Sequence, residues 1–200
     1  MLLMLLFAPT TSVLCQEKGK TVPSAQALKL LNEPSLSSRH GAANLPVIRF
    51  ISKRTFHAPF CVRAYLTPEG PRVRFARLSG KGGYDWGQLD FENDIPLPRD
   101  RWEALLKLAN ASGARQPFKD TKDTKGTLEG NDGSVWILEV SDKAGYTVED
   151  VWTPVSVTEG REEDKILFSK RGGDLKALTA YVEVCKFLMK LAPFDTEPVY

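Results

Sequence analysis

The sequence is poor in the residues that most often carry catalysis and metal binding. It has only two histidines, His40 and His57, and three cysteines, Cys15, Cys61 and Cys185, in 200 residues. No CxxC pair, paired histidine or Cys/His cluster occurs, so nothing supports a zinc or haem site and we expect no cofactor. The GxSxG elbow of serine hydrolases and the GxxxxGK[ST] loop of nucleotide-binding proteins are absent too. These absences leave no motif that indicates a known reaction.

The sequence also lacks an excess of one charge. Its 27 basic and 25 acidic residues give a formal net charge of +2. A bulk balance this close to zero excludes a protein that seeks polyanions by its overall charge. We therefore expect no nucleic-acid partner.

No apolar run is long enough to cross a membrane. The longest stretch near the start is Leu2 to Ala8, against the roughly 20 residues of a spanning helix. An apolar stretch followed by Pro9 and small polar residues is typical of a cleaved export signal, which predicts residues 1–15 as a signal peptide and a periplasmic or secreted protein. Acylation of Cys15, as in a bacterial lipoprotein, is the alternative.

After the signal, the composition predicts three further parts. Residues 16–45 are rich in Ser, Lys, Gln and Pro and are expected to form a mobile arm, in which Ser24 caps a short helix. Residues 46–194 are expected to form a single α+β domain, and residues 195–200 a tail.

The domain begins with three strand-like runs, PVIRFISKRTF, PFCVRAYL and PRVRFARL, which predict a β-meander. Alternation places one set of apolar side chains inward and one set of basic side chains outward. The inward set is Ile48, Phe50, Phe60, Val62, Ala64, Leu66, Val73 and Phe75; the outward set is Arg49, Lys53, Arg63, Arg72 and Arg74. Cys61 falls opposite the inward set, so a disulfide to Cys185, on a helical apolar stripe, is less expected than two buried thiols.

A glycine-rich segment, SGKGGYDWGQL, follows the meander and holds Tyr84 and Trp86. These two rings either form a stacking platform for a sugar or peptide, or fold back onto the core. Helical spacing predicts one helix from Asp100 to Ala111, capped by Asp100 and Glu103, and another from Asp174 to just before Pro193. Val155 to Gly173 is expected to be irregular, with ILF as an edge strand.

Residues 132–154 predict a β-hairpin. If Val140 pairs with Tyr146, Trp136 and Trp152 share the apolar face, and Glu139 and Glu149 share the other. The resulting fold is α+β: an antiparallel sheet of about five strands, a meander plus a hairpin, with two amphipathic helices on one face.

Charge is segregated along the chain. Residues 46–82 hold eight basic residues and one acidic residue, whereas residues 129–164 hold ten acidic and two basic residues. Either the basic strands bind an anionic polymer, or they neutralise the acidic hairpin within the sheet. We favour neutralisation, because Glu139 and Glu149 are predicted on the face that carries Arg63, Arg72 and Arg74.

The segments SGKGGYDWG, DGSVWILE and GYTVEDVWTP resemble a widespread group of exported bacterial proteins to which no activity has been assigned. The resemblance extends from Pro46 to Ala192 and implies export and the extent of the domain. Relatives often carry a histidine and an arginine where this sequence has Thr147 and Val151. Because this chain departs from its relatives at these two positions, we expect no polar site there.

These observations favour a non-enzymatic, exported binding or envelope-associated module. Its partner is expected to be a protein, a glycan or an anionic envelope component, contacted through Tyr84, Trp86, Arg63, Arg72 and Arg74. The alternative is an envelope hydrolase that uses His57 or the carboxylates Glu139, Glu149 and Asp150.

Overall fold

The computed structural model describes residues 23–38, 45–111, 113–116, 132–170 and 172–197. The elements in chain order are α1 (Ala25–Leu30), β1 (Val47–Arg54), β2 (Phe60–Thr67), β3 (Gly70–Leu78), β4 (Leu89–Pro96), α2 (Arg99–Ala109), β5 (Ser134–Asp142), β6 (Gly145–Trp152), α3 (Pro154–Thr158), α4 (Glu162–Lys170) and α5 (Leu175–Met189). The predicted signal peptide, Cys15 and His40 lie outside the described residues.

The six strands form one antiparallel sheet in the order β4-β3-β2-β1-β5-β6. This confirms the α+β class and the combination of a meander with a hairpin. The prediction of about five strands is wrong by one, because LDFENDIP forms β4 beside β3.

The first face of the sheet carries the predicted inward side chains and is covered by α2 and α5. The helices contribute Trp102, Leu105 and Ala109 from α2 and Leu178, Val182 and Cys185 from α5 to the same apolar cluster. Tyr181 of α5 is fully buried and its hydroxyl donates to the Trp136 carbonyl at 2.6 Å. The prediction that both helices pack on one face is confirmed.

The second face carries Ile51, Cys61, Ala76 and Leu78 and is covered as well. Residues 23–38, which we name the strap, lie across it through Leu28 and Leu31. Ser24 accepts a hydrogen bond from the Ala27 amide, as predicted for the helix cap. The prediction of a mobile arm is therefore wrong for residues 23–38, because their leucines are buried against the sheet.

The β5–β6 hairpin is shifted by one residue from the predicted register. Tyr146 pairs with Ser141, and Lys143 and Ala144 alone form the turn. Because side chains alternate, the shift moves Tyr146, Val148 and Trp152 to the second face while Trp136, Leu138 and Val140 keep the first.

Three local predictions change with the structure. Residues 155–173 hold α3 and α4 rather than an edge strand. Helix α2 begins at Arg99, and its N-cap Pro98 has no side-chain hydrogen bond, so Asp100 and Glu103 form no capping box. Cys61 and Cys185 are both buried and unbonded, on opposite faces of the sheet. No helix in the described ranges is long and apolar enough to span a bilayer.

Candidate functional site

The glycine-rich segment folds into a tight turn with Tyr84 at its tip. Gly82 and Asp85 exchange two backbone hydrogen bonds, each 2.9 Å long, which leaves Gly83 and Tyr84 as the central residues. Gly83 has φ of 57°. A positive φ at the first central position is the requirement of a type II′ turn, and glycine meets it without strain.

This turn is fastened to the loop that joins β1 and β2. The Gly83 amide donates to the Arg54 carbonyl at 3.0 Å. A Cβ atom on Gly82 would lie 2.5 Å from that carbonyl oxygen, so only glycine permits this approach. The close backbone contact holds the turn rigidly at this end of the sheet.

Aromatic side chains project from the two loops. Tyr84 is fully exposed and Phe56, in the β1–β2 loop, is 58% exposed. Trp86 is half-buried: its Nε1 donates to the Gly83 carbonyl at 2.8 Å, and the Lys53 ammonium lies 5.5 Å from its ring centre. We name Lys53, Phe56, His57, Lys81, Tyr84 and Trp86 the aromatic loop cluster.

Only Trp86 agrees with the interpretation that these rings fold back onto the core. Trp86 packs partly on the second-face core, whereas Tyr84 contacts none of it. Phe56 and Lys53 could not be predicted as neighbours of this loop, because only the folded backbone brings the β1–β2 loop beside it.

Three of the arginines predicted as an outward basic surface, Arg49, Arg63 and Arg74, form a row across the second face. Register places Arg49 opposite Arg63, Arg63 opposite Arg74, and Glu139 opposite Arg49. These three arginines and Glu139 are on the face that the strap covers. For Arg49, Arg63 and Arg74, the prediction of an outward basic surface is therefore wrong.

One carboxylate from the strap contacts all three arginines. Glu33 Oε2 lies 3.0 Å from Arg49 Nη1 and 2.8 Å from Arg63 Nε, while Glu33 Oε1 accepts from Arg74 Nη1. Glu139 Oε2 accepts from Arg49 Nε at 2.6 Å, and its other oxygen accepts from the Tyr146 hydroxyl at 2.7 Å. The Arg49–Glu139 ion pair agrees with internal neutralisation of the hairpin. The preferred hypothesis, however, named Arg63, Arg72 and Arg74, and their ion pairs are with Glu33, Asp94 and Glu92 outside the hairpin.

Burial and charge together set the protonation of the buried arginines and of Cys61 beside them. Burial opposes the charge on Arg49, but the hydrogen bond and the negative charge of Glu139 outweigh it and raise its pKa. Burial raises the pKa of the Cys61 thiol well above its ordinary value, and the charge of Glu33 raises it further. Arg49 is therefore ionised and the Cys61 thiol is protonated.

Arg72, which was also predicted as a contact residue, is not part of the row and pairs with a different carboxylate. Its Nε donates to Asp94 Oδ1 at 2.8 Å, and the Tyr65 hydroxyl donates to the other oxygen of the same carboxylate. Arg63 and Arg74 are held by Glu33, and Arg74 also by Glu92. The structure therefore does not bring these arginines together with Tyr84 on one open surface.

The carboxylates of the hydrolase alternative are also separated. Glu139 is buried on the second face, whereas Glu149 pairs with Leu138 and so lies on the first. Asp150 pairs with Ile137 and lies on the second face, and His57 belongs to the aromatic loop cluster. Glu139 and Glu149 therefore do not form the acid–base pair that was considered.

Apart from these groups, one surface depression and the arrangement of metal-ligating residues bear on a possible site. Helix α4 and the start of α5 border an open depression of about 370 Å³, lined by Glu162, Lys165, Ile166, Ser169, Lys170 and Leu175. No group of three His, Cys, Asp or Glu residues within the described ranges is arranged to hold a metal ion.

No model of a known protein family matches this chain, and no curated protein matches it in sequence.

Proposed function

We propose that this chain is an exported binding protein without catalytic activity, and that the aromatic loop cluster is its contact surface for a glycan. The observation that supports this most strongly is Tyr84. Large aromatic side chains are usually well buried, yet this ring is fully exposed at the tip of a turn. An exposed ring on a rigid support is typical of a recognition surface.

The rigid support lowers the cost of binding. Two backbone hydrogen bonds close the turn, and a third joins it to the Arg54 carbonyl. A turn whose backbone is already held in place loses little backbone freedom when a ligand covers the ring that it carries, so more of the contact energy appears as affinity.

The size and polarity of the cluster favour a glycan over a protein partner. Stable protein interfaces bury about 800 Å² on each side around an apolar centre. Here only Phe56 and Tyr84 are large and exposed, and their neighbours Lys53, His57 and Lys81 are polar. A sugar ring offers an apolar face for stacking and hydroxyls for these polar groups.

The proposal of export depends on residues 1–15. Mass spectrometry of the protein from its native host should find Gln16 as the first residue. An intact Met1, or a lipid on Cys15, would contradict cleavage at this position.

Retention on immobilised polysaccharides tests the glycan proposal. Peptidoglycan, a neutral glucan and a uronic-acid polymer serve as probes, and Tyr84→Ala should reduce retention on the preferred polymer at least about tenfold, the loss of a stacking ring worth over 1.4 kcal/mol. Ile95→Ala is the matched control, since Ile95 is 40% exposed near the opposite end of β4.

Equal retention of Tyr84→Ala and Ile95→Ala would contradict glycan binding through the aromatic loop cluster. So would a wild-type protein that none of the polymers retains. The hydrolase alternative is the weaker proposal, because Glu139 and Glu149 lie on opposite faces of the sheet. Release of sugar by the wild type during the retention assay would revive it.

A further inference from the structure

The arginine row is unusual because it places three like charges side by side. Arg49, Arg63 and Arg74 are directly opposite one another on β1, β2 and β3, strands that lie about 4.8 Å apart. Like charges in this arrangement destabilise a sheet unless an anion compensates them. The row therefore needs a bound oxyanion, whatever its source.

The strap supplies that oxyanion in the way that a ligand would. Besides the Glu33 carboxylate, it offers the Pro34 carbonyl to Arg49 Nη1 at 2.6 Å and the Leu31 carbonyl to Arg74 Nη2 at 3.0 Å. The Glu33 side chain is completely buried between the strap and the sheet. Guanidinium groups are the usual protein partners of carboxylate and phosphate, because their donors match the spacing of the oxygens.

Glu33 does not use all the donors that the row presents. Arg49 is fully buried, and its Nη2 has no hydrogen-bond partner. Arg63 Nε lies 2.8 Å from Glu33 but outside hydrogen-bonding geometry. Ser141 Oγ, on the same face of β5, is the third buried side-chain atom without a partner in the described part of the chain. All three such atoms lie on the second face of the sheet, the face that the strap covers, which indicates a site with more binding capacity than one carboxylate fills.

We propose that the row of Arg49, Arg63 and Arg74 is an oxyanion-binding site in which Glu33 is an internal ligand, and that a carboxylate or phosphate ligand takes its place when the strap lifts. This site is distinct from the aromatic loop cluster and does not depend on the proposed function.

Replacing Glu33 tests the first half of the proposal. In Glu33→Ala, phosphate or acetate should raise the melting temperature until the site is saturated. The concentration required should be at least tenfold lower than the concentration of chloride that gives the same rise. Acetate and phosphate, assayed separately, distinguish a carboxylate site from a phosphate site. Glu92→Ala is the matched control, because Glu92 also binds Arg74 but is 40% exposed.

If Glu33→Ala does not fold in chloride, refolding provides the second measurement. The yield of refolded protein should then be higher in phosphate than in chloride. A response no greater than that of Glu92→Ala, or none in either assay, would overturn the oxyanion site.

The wild-type protein tests whether the strap is displaced. Cys61 is buried under the strap and Cys185 is buried on the opposite face. Phosphate, compared with chloride, should speed alkylation of Cys61 at least threefold and leave Cys185 unchanged, as read from the labelled peptides by mass spectrometry. An unchanged Cys61 rate, or equal acceleration of both cysteines, would reject displacement and leave Glu33 as a permanent structural partner.

Discussion

At the scale of single residues, the two hairpin tryptophans have unequal roles. Trp136 is 1% exposed, its Nε1 donates to Ser134 Oγ at 2.8 Å, and its ring meets Phe50 edge to face with centres 5.4 Å apart. Trp152 is half-buried on the second face of an edge strand. The register predicted from the sequence places both tryptophans on the same face, and the observed shift in register places them on opposite faces.

Trp136→Ala should lower the free energy of unfolding by about 3 to 5 kcal/mol, because it leaves a large cavity in a packed core. Trp152→Ala should cost clearly less, since its side chain is less deeply buried than that of Trp136. Urea denaturation of both variants measures the difference. Equal losses would mean that the hairpin register described above is wrong.

At the scale of the elements, the sequence predicts those whose pattern is local. The meander and α5 follow from alternation and helical spacing, and their inward residues are the ones observed in the core. Strand β4 also alternates, but its acidic side chains make the segment look unlike a strand. In the sheet, Arg72, Arg74 and Arg77 of β3 form ion pairs with these side chains. Such pairing depends on which strand is the neighbour, and no local pattern gives that.

The hairpin register could not be read from the apolar pattern alone. Both strands carry apolar residues on both faces, since the strap covers the second face and the helices cover the first. Without a solvent-facing side, either register buries a plausible set of side chains. Glu33 was missed for a related reason: it meets Arg74 from 41 positions away, and only the folded sheet brings them together.

Helices α2 and α5 differ at their N-termini, and this difference allows the effect of a side-chain cap to be measured. Asp174 Oδ1 accepts from the Ala177 amide at 3.1 Å, whereas Asp100 makes no cap hydrogen bond in α2. Asp174→Ala should therefore lower the free energy of unfolding by about 1 kcal/mol, and Asp100→Ala by less than about half of that. Thermal and urea melts of the two variants provide the comparison, and a larger loss for Asp100→Ala would contradict the observed start of α2.

At the scale of the whole molecule, other elements pack on both faces of the sheet, and buried groups that keep their protons lie at both contacts. Cys61 lies between the sheet and the strap, while Tyr181 and Cys185 are side chains of α5 in the core of the first face. Burial raises the pKa of all three well above the ordinary values of 9.0 for a thiol and 10.0 for a phenol. Burial, and then the negative charge of Glu139, also raise the pKa of Tyr146.

These raised pKa values predict a loss of stability in alkali. The folded state keeps protons that the unfolded state releases, so the stabilisation is complete below pH 9 and falls as the pH rises above the ordinary thiol pKa of 9.0. Each buried thiol should remove about 1 kcal/mol of unfolding free energy between pH 9 and pH 10, and the tyrosines should add to the loss above pH 10. Urea melts at pH 7, 8, 9 and 10 give the slope. The Cys61→Ala, Cys185→Ala double variant should be less stable at pH 7 but clearly flatter between pH 9 and 10; the same slope in both proteins would show that the thiols are already exposed to ionisation in the folded state.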